Sequence, residues 1–253
     1  MAQGTVVLGD ALEVEFPQYH LAYLDPPYGP KRAGKLPADS YYGVGSSREE
    51  YLSFLLNRIQ NLTKGQSDYN LIVHVDPKYS HHIKVGLDDL LGQENFRNEI
   101  VWCYSGPSNT KSTLPKKHDV LLWYGVGNYY FHQPRIPYAT KNGKPTLRVG
   151  GKTGWKNTQD TQQYLQQGKP LEDFWTDVPA LQRNEGEKLG YATQKPVRLL
   201  ERIVTAFSPE NGMVVDPFSG SGTTARACKN LNRNFFGCDM NPEAVDLANA
   251  SLV

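Results

Sequence analysis

The sequence predicts an α/β protein built on a doubly wound, mostly parallel sheet. Three observations carry that reading. Short apolar runs alternate with segments of helical spacing along most of the chain. Five of those runs end at or beside an acid: Asp10, Asp25, Asp76, Asp216 and Asp239. The last stretch, from residue 196 onward, reads as helix, strand, glycine-rich turn, helix, strand and helix. Open sheets of this kind bind ligands at the carboxyl ends of their strands, where these acids should lie.

The bulk numbers narrow the class. At 253 residues the chain is one large domain, or one domain with an inserted module. Hydrophobic content of 39% with 21% charged residues reads as soluble and globular. No apolar run approaches membrane-spanning length, and the N-terminus lacks a signal-peptide pattern. Cys103, Cys228 and Cys238 are odd in number and lack ligand spacing. They argue for a reducing cytosol and against a disulfide frame or zinc site.

In chain order, Thr5-Val6-Val7-Leu8 is a strand that reaches Gly9-Asp10. Leu21-Ala22-Tyr23-Leu24 suits a short buried strand, and Asp25 sits where it should end. Pro26 and Pro27 cannot continue a sheet ladder and stiffen the turn. Tyr28 adds a ring, and Gly29-Pro30 closes the turn. The expected result is a carboxylate, an exposed proline carbonyl and a flat ring, all held rigidly. That set suits a planar ring with an exocyclic amine. A bare Asp-Pro turn would read as a simple strand end; the double proline, the tyrosine and the strand before it favour a site.

Residues 29–48 form a long loop, which reads equally as a lid or as a surface loop. Glu49 to Leu62 has helical spacing, and Asn70 to Val75 is a buried strand ending at Asp76. Ile83 to Leu91 suits a helix ended by Gly92. Residues 99–102 and 119–124 are two more strands.

Residues 105–158 change character. Lys111, Lys116, Lys117, Arg135, Lys141, Lys144, Arg148, Lys152 and Lys156 face a single acid, Asp119, so the stretch carries +8. The remainder carries −7, which makes an acidic body with a basic insert. Tyr129, Tyr130, Phe131, Tyr138 and Trp155 are interleaved with the basic groups. Such a mixture suits a phosphate backbone. The expected division is 1–104 and 191–253 for the body, with 105–190 as the insert.

Order returns with an amphipathic helix over 196–207, and a strand then reaches Asp216. The turn Pro217-Phe218-Ser219-Gly220-Ser221-Gly222-Thr223-Thr224 leads into a helix, and the next strand reaches Asp239. The second acid is placed to grip a ribose diol. No lysine follows the glycines, so this is not a phosphate-cradling P-loop. Asp216 at the mouth of the turn would repel a pyrophosphate. A ligand with a ribose, an adenine and a positive end fits better, and S-adenosylmethionine has all three.

The motifs DPPY at 25–28 and DPFSGSGTT at 216–224 resemble those of S-adenosylmethionine-dependent amino-DNA methyltransferases. Their order, with DPPY first, resembles the circularly permuted β-class. Segments 95–124 and 187–204 are similar to further parts of that family, so the likeness covers nearly the whole chain. The resemblance implies a Rossmann-like, class I methyltransferase fold with an inserted target-recognition region. It implies a catalytic place for Asp25, Pro26, Pro27 and Tyr28. Asp216, Phe218, Gly220, Gly222 and Thr223 would line the methionine and ribose side, and Asp239 would hold the ribose. Asp10 would meet the adenine, and Thr193, Lys195 and Pro196 the methionine tail. The partner implied is double-stranded DNA, with no membrane, in a bacterial, archaeal or phage-encoded cytoplasmic protein. A homodimer and a cognate restriction endonuclease stay open. The implied reaction is methylation of adenine N6, with cytosine N4 as the alternative. Two rivals stand further off: a methyltransferase acting on protein or RNA, and a non-catalytic DNA-binding protein.

Overall fold

The computed structural model describes residues 3–29, 44–106, 110–138, 140–141, 144–145, 165–181, 186–187 and 194–252. Thr193, Arg148, Lys152 and Lys156, with most of the 29–48 loop, lie outside these residues. The chain divides into two compact units, one of residues 1–131 with 173–253 and one of residues 132–172.

The larger unit is built on an eight-stranded sheet. In chain order its first elements are β1 (Gly4–Leu8), β2 (Leu21–Leu24), helix α1 (Arg48–Thr63) and β3 (Tyr69–Val75). Next come helix α2 (Ser80–Leu91), β4 (Phe96–Cys103) and β5 (His118–Val126). In the smaller unit, β6 (Arg135–Ile136) pairs with β9 (Lys169–Pro170), and β7 (Thr140–Lys141) pairs with β8 (Lys144–Pro145). The larger unit resumes with β10 (Phe174–Trp175), helix α3 (Val197–Phe207) and β11 (Met213–Asp216). It ends with helix α4 (Thr223–Asn230), β12 (Asn234–Asp239) and helix α5 (Pro242–Leu252).

The strand order is β1-β12-β11-β2-β3-β5-β4-β10. All neighbours run parallel except β5, which is antiparallel to both β3 and β4. The carboxyl ends of the other seven strands therefore share one edge with the amino end of β5. Leu8 opposes Asp239 and Trp102 opposes Asp119 at that edge.

The alternation of each strand sorts its side chains between two faces. Ala22, Leu24, Leu71, Val73, Val75, Val120, Leu122 and Tyr124 pack with Tyr51, Leu55 and Ile59 of α1 and with Ile83 and Leu87 of α2. Tyr23, Ile72, His74, Asp119 and Trp123 alternate with them along the same strands. The Trp123 ring meets Phe207 of α3 at 4.7 Å between centroids. Asn70, fully buried, ties this second face together. Its amide donates to the carbonyls of Phe207 and Tyr130, and its Oδ1 accepts from Trp123 Nε1. Its buried polar groups are thereby satisfied.

Helix ends follow local chemistry. Ser47 caps α1 in a capping box with Glu50. Gly92 closes α2 with φ 87°. Pro196 is the N-cap residue of α3 and buried. Among the described residues no helix is long and apolar enough to cross a membrane.

Gly222 has φ 79°, and a Cβ there would lie 2.7 Å from the Ala248 backbone in α5. Gly222→Ala combines a left-handed backbone penalty with a clash that no flexible side-chain tip can relieve. It is expected to cost at least about 2 kcal/mol of stability. Denaturant titration of the purified protein measures this.

Candidate active site

Four carboxylates stand at the carboxyl ends of β1, β12, β11 and β2, which are consecutive in the sheet. Each is tied differently. Asp10 follows β1; its Oδ1 accepts from the Leu12 amide, and its Oδ2 meets the Arg58 guanidinium at 2.5 Å. Arg58 comes from α1, is buried, and lies 3.7 Å over the Phe54 ring. Phe54 in turn lies 6.2 Å from Phe218 in the glycine turn.

Asp239 ends β12 and is fully buried. Its Oδ2 accepts from the Gly220 amide at 2.8 Å, and its Oδ1 accepts from the Asn241 amide at 2.9 Å. Gly220 has φ 50°, so glycine frees the turn to aim its amide at the acid. Asp216 ends β11, 2% exposed. Its Oδ1 accepts from the Phe218 amide, and its Oδ2 accepts from the Thr224 hydroxyl at 2.6 Å. Burial raises its pKa to about 7, a rise opposed by those two hydrogen bonds and aided by the charges of Asp25 and Asp239. Thr223, also buried, accepts from Arg226.

Asp25 follows β2. Its Oδ1 accepts from the Tyr28 hydroxyl at 2.9 Å, and its Oδ2 accepts from Lys195 Nζ. Burial first, and then the Asp25 charge, hold the Tyr28 hydroxyl well above its usual pKa, so it stays a donor. The Gly29 amide returns to the Pro27 carbonyl at 3.0 Å, with Gly29 at φ 85°. Pro26 is a buried residue. Lys195 is 8% exposed and projects to Asp25 rather than into solvent.

Behind Tyr28 runs a buried chain that the sequence reading misses. The Tyr23 hydroxyl meets His74 Nδ1 at 2.9 Å, and His74 Nε2 meets Asp119 at 3.1 Å. The Tyr104 hydroxyl donates to the other Asp119 oxygen at 3.0 Å. Burial acts to raise the Asp119 carboxyl, but His74, Lys195 and the Tyr104 hydroxyl outweigh it and hold the group below the usual carboxylate range. With Asp119 ionised, His74 Nε2 is the donor in their hydrogen bond. The Tyr28 and Trp102 rings flank His74 at 6.2 and 5.7 Å. The sequence held one signal for this chain, a histidine inside the apolar run Asn70 to Val75.

The basic residues divide. Lys111 and Lys116 are exposed and Lys117 is half-buried, all between β4 and β5 at the same sheet edge. A cavity of about 550 Å³ opens there, lined in part by Tyr104, Ser105, Lys117, His118 and Thr176. In the smaller unit, the Arg135 guanidinium donates to the carbonyls of Gln167 and Gly168. Lys141 and Lys144 sit opposite each other in the β7–β8 pair.

A family model described as DNA methylase, of the N6/N4 type, matches residues 19–250. A type II methyltransferase of Moraxella bovis, M1.MboII, is 30% identical over 260 residues, covering 94% of this chain and 90% of that one. Among solved structures, the M1.HpyAVI–SAM complex gives a TM-score of 0.62 at 19% identity, covering 100% of this chain and 99% of the other. PvuII DNA methyltransferase, cytosine-N4-specific, gives 0.67 at 16% identity, covering 100% and 87%. The fold is that of the class I methyltransferases. The chain belongs to the N6/N4 DNA methylase family, and its methyl donor is S-adenosylmethionine. The residues present fit that cofactor. The edge offers carboxylates and glycine-turn amides, which suit a cation and a ribose diol, and no lysine follows the glycines to meet a phosphate.

The Asp216 carboxyl binds its proton more tightly folded than unfolded. Its contribution to stability is full below pH 4 and is lost as pH rises to about 7, the folded value. Asp216→Asn keeps the shape and removes the titration. The stability gap between variant and wild type should widen in the variant's favour from pH 4 to 7, by on the order of a few kcal/mol. Chemical denaturation across that range reads the gap.

Proposed function

We propose that this chain transfers the methyl group of S-adenosylmethionine to the N6 amine of an adenine extruded from duplex DNA. The observation that carries the reading is Asp25 hydrogen-bonded to Tyr28 beside the buried acids Asp216 and Asp239. A target amine inside a duplex cannot reach such an edge, so the base must leave the stack. Tyr28 then supplies a stacking face, and Asp25 with the Pro26 carbonyl accepts the amine hydrogens. Those bonds turn the nitrogen lone pair toward the methyl donor, and Pro27 keeps the turn stiff. When bound, the cofactor supplies an electrophilic methyl on a sulfonium. Around it Asp239 holds the ribose hydroxyls, Asp10 faces the adenine, and Asp216, Phe218, Gly220, Gly222 and Thr223 line the remainder. In this reading Thr193, Lys195 and Pro196 serve the methionine tail. The rate gain comes from positioning and charge complementarity.

Residues 1–104 and 191–253 form the catalytic and cofactor parts in this reading, and 105–190 the target-recognition region. Lys111, Lys116, Lys117, Arg135, Lys141, Lys144, Arg148 and Lys152 meet the DNA backbone. Since M1.MboII is named a type II methyltransferase, we place the chain in a bacterial restriction-modification system, in the cytoplasm, with a cognate endonuclease.

Adenine is favoured over cytosine on two grounds. In the family, Asp at the first motif position goes mostly with adenine and Ser mostly with cytosine; position 25 is Asp. A purine also offers Tyr28 a larger stacking face. Methylation of DNA by the purified protein, followed by mass spectrometry of nucleosides, should yield N6-methyladenine. N4-methylcytosine as the sole product would overturn the choice of base. Mapping methylated positions in cells expressing the chain gives the recognition sequence. Asp25→Ala should lose at least about 100-fold in turnover, the scale of one lost transition-state contact, while calorimetry finds cofactor binding retained.

If Lys116 and Lys117 meet phosphates, replacing both by Gln should flatten the slope of log K against log salt by up to about 2. Fluorescence anisotropy at several salt concentrations measures the slope. An unchanged slope would remove both residues from the interface.

A further inference from the structure

Lys195 lies immediately before the N-cap of α3, yet its side chain is only 9% exposed. Its Nζ donates to Asp25 Oδ2. The same Nζ stands 4.9 Å from the centroid of the Tyr28 ring. The other Asp25 oxygen accepts from the Tyr28 hydroxyl. One ammonium thus makes both contacts that the proposed reaction asks of a target amine: a hydrogen given to Asp25 and a place over Tyr28.

These contacts cannot all persist during transfer. A carboxylate oxygen has room for a second donor, but a base stacked on Tyr28 needs the space over that ring. The target nitrogen also becomes positive as it takes the methyl, and a neighbouring ammonium would oppose that charge. Conversely, withdrawing the ammonium from an empty site would leave Asp25 as a largely buried, uncompensated charge, which is unfavourable.

We propose that Lys195 is the resting occupant of the target-amine position, and that an extruded base enters by displacing its ammonium from Asp25 and Tyr28. Base entry is then an exchange of one N–H donor for another on the same carboxylate. Lysine suits the role because its ammonium is a compact charge on a flexible four-carbon stem. The proposal rests on the reading of Asp25 and Tyr28 as the amine-binding pair, and its test separates the two.

The test uses the full chain, saturated with S-adenosylhomocysteine at concentrations set by calorimetry for each variant. The duplex carries the mapped recognition sequence, with 2-aminopurine next to the intact target base. Its fluorescence rises when the target base leaves the stack. At matched DNA occupancy, Lys195→Met should raise the fluorescence plateau at least threefold over wild type, because nothing competes for Asp25. Lys195→Gln should move it the same way by less, and it decides the matter if the Met variant does not fold. An equal or lower plateau in the folded variant overturns the proposal. Tyr28→Ala should lower the plateau. A lowered plateau there, beside an unchanged one for Lys195→Met, overturns the Lys195 proposal alone. Wild-type behaviour of Tyr28→Ala as well would overturn the amine-binding pair itself.

Discussion

The site depends on one electrostatic constraint: carboxylates gathered at a single sheet edge must each be compensated or neutralised. Burying a charge is costly unless it is paired or hydrogen-bonded. The four acids solve this in different ways. Asp10 takes the Arg58 guanidinium, and Asp239 takes two backbone amides. Asp25 takes Lys195 and Tyr28. Asp216, pushed upward first by burial and only then by the Asp25 and Asp239 charges, instead shifts toward its neutral form. These are distinct environments for one residue type.

The constraint also explains the glycines. An amide can reach Asp239 only if the chain between β11 and α4 turns tightly, and Gly220 and Gly222 both have positive φ there. The glycine turn is thus part of how the acid is satisfied, as well as space for a ligand. Gly29 answers a different need, since it has φ 85° and a Cβ there would come within 2.3 Å of the Tyr79 ring.

Much of this was legible in the sequence, because short apolar runs ending in acids locate the strand ends, and strand ends locate the edge. The Asp25 turn, the glycine turn and Asp239 all fall at the strand ends where those runs put them. The partners of the acids were less legible. Arg58 pairs with a residue 48 positions away, and Lys195 with one 170 positions away. Arg58 could have been flagged, since it falls on the apolar arc of α1 defined by Tyr51, Leu55 and Leu62. The resemblance puts Lys195 at the methionine tail, but a lysine before a helix carries no signal of a partner 170 positions away. The His74–Asp119 chain depends on which strands become neighbours, and periodicity within one strand is silent on that. β10 was missed for a related reason. Two residues pairing beside Val101 and Trp102 carry no periodic pattern of their own.

The reversed strand β5 has a consequence for the site. In a wholly parallel sheet, the segment entering a strand lies at the edge opposite the ligand. Because β5 runs antiparallel to β3 and β4, its first residues lie at the edge of Asp25 instead. That reversal brings Asp119 under His74, and it brings the loop carrying Lys111, Lys116 and Lys117 to the acidic edge. A basic segment thereby enters at the same sheet edge as the carboxylates. An acidic edge suits a cationic donor, and a basic loop suits a polyanion. Reversing one strand lets a single sheet edge offer both.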